Sequence, residues 1–197
     1  DVYAPGARVV RIVAGREVEL PRSKLAFFKG ETADGGEPAR VVTWVDPSLG
    51  VRGGMVFDRT DVYELEPDPS PIAAGALRVL RPDARFPQGA PLPRWTCAQE
   101  ELAEALGAAA PDASAPEATS PTKSAVLSFD TDYEYLSIRF GGNITNLVNY
   151  MATLVANTTV IYERDIGPAK DQGVRILQGF SIVRASDAED PYFDTVG

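Results

Sequence analysis

The stretch from 142 to 164 constrains the fold more than any other part of the chain. Apolar residues recur at Ile144, Leu147, Val148, Met151, Leu154, Val155, Ile161 and Tyr162, the i, i+3, i+4, i+7 spacing that lays a stripe along an α-helix. Such a stripe has to be buried. Asn143, directly after Gly141 and Gly142, has the short polar side chain that caps a first turn, and Asn146, Asn149, Asn157 and Thr159 are expected on or beside the opposite face. The spacing predicts a helix from about Asn143 to Arg164, with Leu154 in the buried stripe.

An apolar, β-rich run precedes this helix at 125–129, and another with a glycine inside follows it at 174–183. Strand, long helix, strand is the order of a βαβ unit. Val126 to Phe129 and Val174 to Val183 are therefore expected in one sheet, with the helix packed across it.

These residues also carry a resemblance. Phe129-Asp-Thr-Asp-Tyr-Glu-Tyr135, the asparagine-rich helix, Ile161-Tyr-Glu-Arg-Asp165 and Asp190-Pro-Tyr192 resemble the opening of the catalytic domain of reprolysin-like zinc metallopeptidases of the metzincin clan. The resemblance implies that the helix packs on the sheet and that a zinc motif, His-Glu-x-x-His-x-x-Gly-x-x-His, lies on a second helix well downstream. This chain has no histidine. The zinc ligands would then come from a C-terminal remainder of the same precursor or from a second chain. Upstream, 27–30, 39–45, 50–57 and 63–67, in that order, resemble the propeptide of the same peptidases, with a Gly-rich strand ahead of a Tyr-x-Leu-Glu-Pro phrase.

The implied fold class is α+β, a β-rich prodomain followed by the N-terminal α/β part of a metzincin-like catalytic domain. The prodomain is expected over 1–107, because short apolar runs at 7–13, 39–45, 54–57 and 61–66 alternate with turn formers such as Asp46-Pro-Ser-Leu-Gly50. Within it, the Pro-rich stretch at 86–96 favours extended backbone that can lie along a groove, so an inhibitory segment is placed near 86–98. A short helix is expected at 99–106. Residues 108–123 are mostly Ala, Pro, Ser and Thr and read as a linker. The catalytic part would occupy 124–197.

Cys97, the only cysteine, sits where the resemblance puts a zymogen's zinc-bound thiolate. A soft anionic sulfur there completes a tetrahedral site and displaces the attacking water. The plainer reading is a lone buried thiol. Asp130, Asp132 and Glu134 alternate, so in an extended segment they would share one side and could hold a hard cation such as calcium; a solvated strand end is the competing expectation. Glu163, Arg164 and Asp165 are expected to fasten the helix end by local ion pairs. Asn143-Ile-Thr145 and Asn157-Thr-Thr159 match the glycosylation pattern, but both fall in the helix and read as a cap and a polar face.

Charge and composition exclude several classes. The chain carries 19 basic and 28 acidic residues, a net charge of −9, and no basic stripe that would track phosphates, so nucleic acid is not an expected partner. No apolar run approaches the ~20 residues of a membrane helix. With one cysteine and no histidine, neither an internal disulfide nor a Ser-His-Asp or Cys-His apparatus can be built from these residues. A start at Asp1 fits an export signal already removed, and hence a secreted protein. The expected function is the N-terminal portion of a secreted zinc endopeptidase precursor that is kept latent by its prodomain and acts on protein or peptide substrates. The alternative is a non-enzymatic binding protein on the same scaffold without metal.

Overall fold

The computed structural model describes residues 1–32, 39–58, 61–69, 76–81, 123–165 and 174–191. Their content is mixed, with nine strands in two sheets, one long helix and short helical turns. The linker core, the Pro-rich segment, the short helix expected at 99–106 and Cys97 lie outside the described residues.

The first sheet contains β1 (Val9–Val13), β2 (Arg16–Leu20), β8 (Lys123–Thr131) and β9 (Val174–Val183), in the order β2-β1-β9-β8. β8 and β9 are parallel neighbours joined through the helix α1 (Ile144–Asp165), which is the strand–helix–strand arrangement that the sequence predicts. On the other side of β9, β1 also pairs in parallel, Val9 with Ser181 and Arg11 with Val183. The pairing reaches back to the first residues: Gln178 donates its N–H to the carbonyl of Val2 at 2.7 Å and accepts from the N–H of Ala4 at 2.8 Å. One sheet thus joins segments that composition places on either side of the 108–123 linker.

A glycine is needed where β9 passes β8. The register between the two slips at Leu127/Phe129, and a Cβ at Gly179 would come within 2.5 Å of the Val126 side chain. The glycine marks a bulge.

The second sheet is an antiparallel meander: β3 (Ala26–Glu31), β4 (Arg40–Asp46), β5 (Gly50–Phe57), β6 (Val62–Pro67) and β7 (Leu77–Leu80), paired in sequence order. Its β4–β5 turn is set by Asp46, whose Oδ1 accepts from the N–H of Ser48 at 2.8 Å, the hydroxyl of Ser48 at 2.6 Å and the N–H of Leu49 at 3.2 Å. These bonds hold the Asp46 carboxyl below its ordinary pKa, the Ser48 hydroxyl contributing most.

Helix α1 lies between the sheets. Asn143 caps it as expected, its Oδ1 accepting from the N–H of Asn146 at 3.0 Å. The buried face differs from the single stripe. Leu147, Val148, Met151, Ala152, Val155, Ala156, Thr159 and Val160 are all buried, whereas Leu154 is 37% exposed and Tyr162 43%. At about 100° per residue the buried set spans roughly 220° of the helix circumference. Two sheets, not one, cover this helix. Ala152, Val155, Ala156 and Val160 form one cluster with Val2, Val42 and Phe57 as well as Ile176 of β9. Leu147, Val148 and Met151 form another with Val9, Leu136 and Val183. The expectation for Thr159 is corrected in the same way. It is 6% exposed, and its hydroxyl donates to the carbonyl of Ile176 at 2.8 Å and accepts from that residue's N–H at 3.2 Å.

Candidate functional site

The carboxyl ends of parallel strands are where open α/β sheets usually place their chemistry, and here that end carries the acidic run. Strand β8 stops at Thr131, residues 133 and 134 are already helical, and a π-helical turn follows at Tyr135–Arg139. The alternation of Asp130, Asp132 and Glu134 is therefore broken before it can present three carboxylates to one side. Each has its own setting. Asp130 forms a two-pronged pair with Arg184 just beyond β9, Nε to Oδ1 at 2.8 Å and Nη2 to Oδ2 at 2.7 Å. Asp132 turns its Oδ1 to the N–H of Tyr135, as a helix cap does. Glu134 enters the turn, where its carbonyl accepts from the hydroxyl of Ser137 at 3.2 Å.

The sequence singles out these acids as a calcium cradle or a solvated strand end; of the three, Asp130 and Asp132 also fasten local structure, to Arg184 and to the Tyr135 N–H. A hard cation needs six to eight oxygens about 2.3–2.6 Å from one point. Among the described residues no group of three or more His, Cys, Asp and Glu side chains could hold a metal ion. The helix-end trio is placed at the last turn of α1, and the side chains of Glu163, Arg164 and Asp165 lie outside the described residues.

Two residues of this region escape a reading of the sequence alone. Arg184 donates to the carbonyl of Glu189 at 3.3 Å while it holds Asp130, so it ties β8 to the segment after β9. Asp190, 6% exposed, accepts the N–H of Tyr133 at its Oδ2. The Asp190-Pro191 phrase is visible in the sequence, but its task depends on the parallel β8–β9 register that sets Thr131 opposite Val183. Next to this clamp, Tyr135, Phe140 and Tyr150 pack as a trio, with ring centroids 5.5 to 6.0 Å apart. Burial pushes the Tyr135 phenol up to about 12, helped by its hydrogen bond with the Tyr150 hydroxyl.

The arrangement positions backbone. Compared with protein-family models and with curated proteins, the chain matches none of either. Among the described residues no helix is long and apolar enough to cross a membrane.

Proposed function

We propose that these residues are the N-terminal portion of the precursor of a secreted zinc endopeptidase, with the β-rich segment up to about residue 107 keeping the enzyme latent. The observation that supports this reading is the β8–α1–β9 unit. The phrase at 129–135 falls at the end of β8 and the phrase at 161–165 at the end of α1, within two parallel strands joined by a helix, as the resemblance to the reprolysin-like opening requires. The N-terminal meander lies against that same helix through Val42 and Phe57, the position of a domain that covers another. Clamping of β8 to the residues after β9 by Arg184 and Asp190 would give such a catalytic part a rigid floor.

The described residues do not fit a zinc ion, having neither histidine nor a convergent set of ligands, so no step of the reaction is drawn through them. On this reading the metal ligands lie in polypeptide outside these residues. Cys97 is the thiolate that would hold the latent form closed.

The test uses the full-length precursor, wild type beside Cys97→Ser, with zinc measured by elemental analysis and peptide hydrolysis followed before and after proteolytic processing. The expected result is stoichiometric zinc, latency in the wild type and activity before processing in the variant, since a hydroxyl is a far poorer zinc ligand than a thiolate. Absence of zinc from the precursor overturns the peptidase reading in favour of a binding protein. Zinc with equal latency in both proteins overturns only the role of Cys97.

A further inference from the structure

Residues 21–25 form a strap that carries the chain from β2 of one sheet to β3 of the other, across the N-terminal half of α1. Ser23 at its centre is fastened twice: its hydroxyl donates to Oδ1 of Asn149 on the helix at 2.7 Å, and its N–H donates to the Tyr3 hydroxyl at 2.8 Å. The hydroxyl also accepts from the N–H of Leu25 at 3.2 Å. With Ser23 turned inward, Arg22 and Lys24 on either side are exposed.

A cleft of about 250 Å³ opens between this strap and the helix, just below the ~300–1,000 Å³ usual for drug-sized ligands and so suited to a smaller molecule. Its apolar lining comes from Leu20 and Leu25 at the ends of the strap and from Ile144 and Val148 on the helix. Arg22 and Lys24 line it as well. Arg22 lies over the Tyr3 ring, 5.3 Å from its centroid, and Lys24 has no ion-pair partner among the described residues. Asp46 contributes the one carboxylate, with Oδ1 taken up by its own turn. Two cations against one carboxylate leave a net positive charge beside an apolar wall.

We infer that this cleft binds a small aliphatic carboxylate, its branched or linear alkyl group against Leu20, Leu25 and Val148 and its anionic end with Arg22 and Lys24. The chemistry is shared by a free short-chain acid and by the C-terminal residue of a peptide ending in leucine. The site is independent of the zinc peptidase reading. It lies at the opposite end of the helix from the 161–165 phrase, and binding is measured without any catalytic assay.

The experiment is an amide chemical-shift titration of the 197-residue chain with 4-methylpentanoate, its amide 4-methylpentanamide, acetate and the tripeptide Gly-Gly-Leu. Saturable shifts confined to 20–25 and 144–149 are expected for 4-methylpentanoate, for the tripeptide or for both, and which of the two binds identifies the source. Acetate lacks the alkyl group and should bind at least about tenfold more weakly, as should the amide, which lacks the charge. Arg22→Gln with Lys24→Gln, both at exposed positions, should weaken the acid by about tenfold or more and abolish its salt dependence while the shift pattern of the rest of the chain stays that of the folded protein. Equal binding of acid and amide, an unchanged affinity in the double variant, or no saturable shift at millimolar ligand would each overturn the inference.

Discussion

Two sheets bury the same helix, and they are assembled by different routes. In the β3–β7 sheet every strand pairs with its neighbour in sequence, so the sheet is a run of hairpins. In the β2-β1-β9-β8 sheet a strand ending at Val13 lies parallel to one ending at Val183. Closing the β2-β1-β9-β8 sheet costs loop entropy before its contacts repay it, whereas hairpins close locally. Helix α1 couples them, because Val155 and Ala156 share one cluster with Val42 and Phe57 of the meander and with Ile176 of β9. Packing therefore groups the chain differently from composition: the first 20 residues go with the last strand and not with the hairpins that follow them.

The largest effect should come from breaking the shared element. Val155 is 1% exposed, and Val155→Asp places an unpaired carboxylate where no partner waits, at a cost of more than about 4 kcal/mol. Amide exchange should then show both sheets losing protection together. Leu154→Asp, one residue away but 37% exposed, should move the urea midpoint by the equivalent of about 0.5 kcal/mol or less. Retained protection in β3–β7 while β8 and β9 exchange freely would mean that the sheets are independent and the coupling through α1 is absent.

Glycine substitutions sharpen the contrast between the two constructions. A Cβ at Gly54 in the meander would lie 2.7 Å from the Val42 carbonyl oxygen, a backbone atom with little room to yield. Gly54→Ala should cost about 2–3 kcal/mol in denaturant melts. At Gly179 the obstruction is mainly the side chain of Val126, itself 57% exposed and able to turn away, so Gly179→Ala should cost about 1 kcal/mol. The reverse order would show that the β8–β9 bulge is the tighter of the two contacts.

Thr159 tests the polar attachment of α1 to β9. Thr159→Val leaves the N–H and the carbonyl of Ile176 without the hydroxyl that serves both, and should cost about 2 kcal/mol. Thr159→Ser keeps both bonds and should lose less than about 1 kcal/mol by equilibrium unfolding. Equal losses would assign the effect to the methyl group.

How much was legible follows from which contacts are local. The 3.6-residue period, the Asn143 cap and the strand runs on either side of the helix are all visible in sequence, as is the Asp46-Pro-Ser-Leu-Gly50 turn, because each is decided within a few residues. Burial of Thr159 and exposure of Leu154 were not, since both depend on a second covering sheet that turns a stripe into a wide sector. Strand β2, five mostly exposed residues with two glutamates, has no apolar run to announce it and is held by pairing with β1. The acidic run at 130–134 reads as one cluster only if it stays extended. The early start of the helical turn and the distant Arg184 and Asp190 divide it. Buried Gln178, whose amide donates to the buried Ser181 hydroxyl at 2.9 Å, sits in a strand that its apolar neighbours predict well but whose two polar core positions they do not.

Tyr135 gives a pH test of the clamp region. Its phenol is raised in the folded protein to about 12, against about 10 for an unfolded tyrosine. A raised value means that the contribution is fully present below pH ~10 and is lost as pH climbs toward ~12. Ultraviolet titration should show the Tyr135 phenol among those ionising late, and Tyr150→Phe should bring it earlier by removing the hydrogen bond. In Tyr135→Phe the alkaline fall in stability should be shallower than in the wild type; an identical fall would place the sensitive group elsewhere.

The smallest effect concerns the one hairpin in the sheet that is otherwise closed by distant contacts. Strands β1 and β2 are joined by Ala14 and Gly15, and Ala14 adopts φ 49°, a left-handed conformation that costs an alanine about 1 kcal/mol. Two-residue hairpin turns with both central residues at positive φ favour Asn-Gly for this reason. Ala14→Asn keeps the backbone N–H that donates to Oε1 of Glu189 at 2.6 Å and relieves the strain, so it should stabilise by about 0.5 kcal/mol, or roughly 1–2 °C in Tm. Ala14→Val puts a β-branched residue at the same φ and should destabilise by about 1 kcal/mol or more. Because the turn belongs to the non-local sheet, a gain from Asn shows that local hairpin strain limits β1 even though β9 holds its other edge. Indistinguishable Tm values for Asn and Val would show that the parallel pairing with β9 alone fixes β1, which would make the two routes of sheet assembly still more unlike.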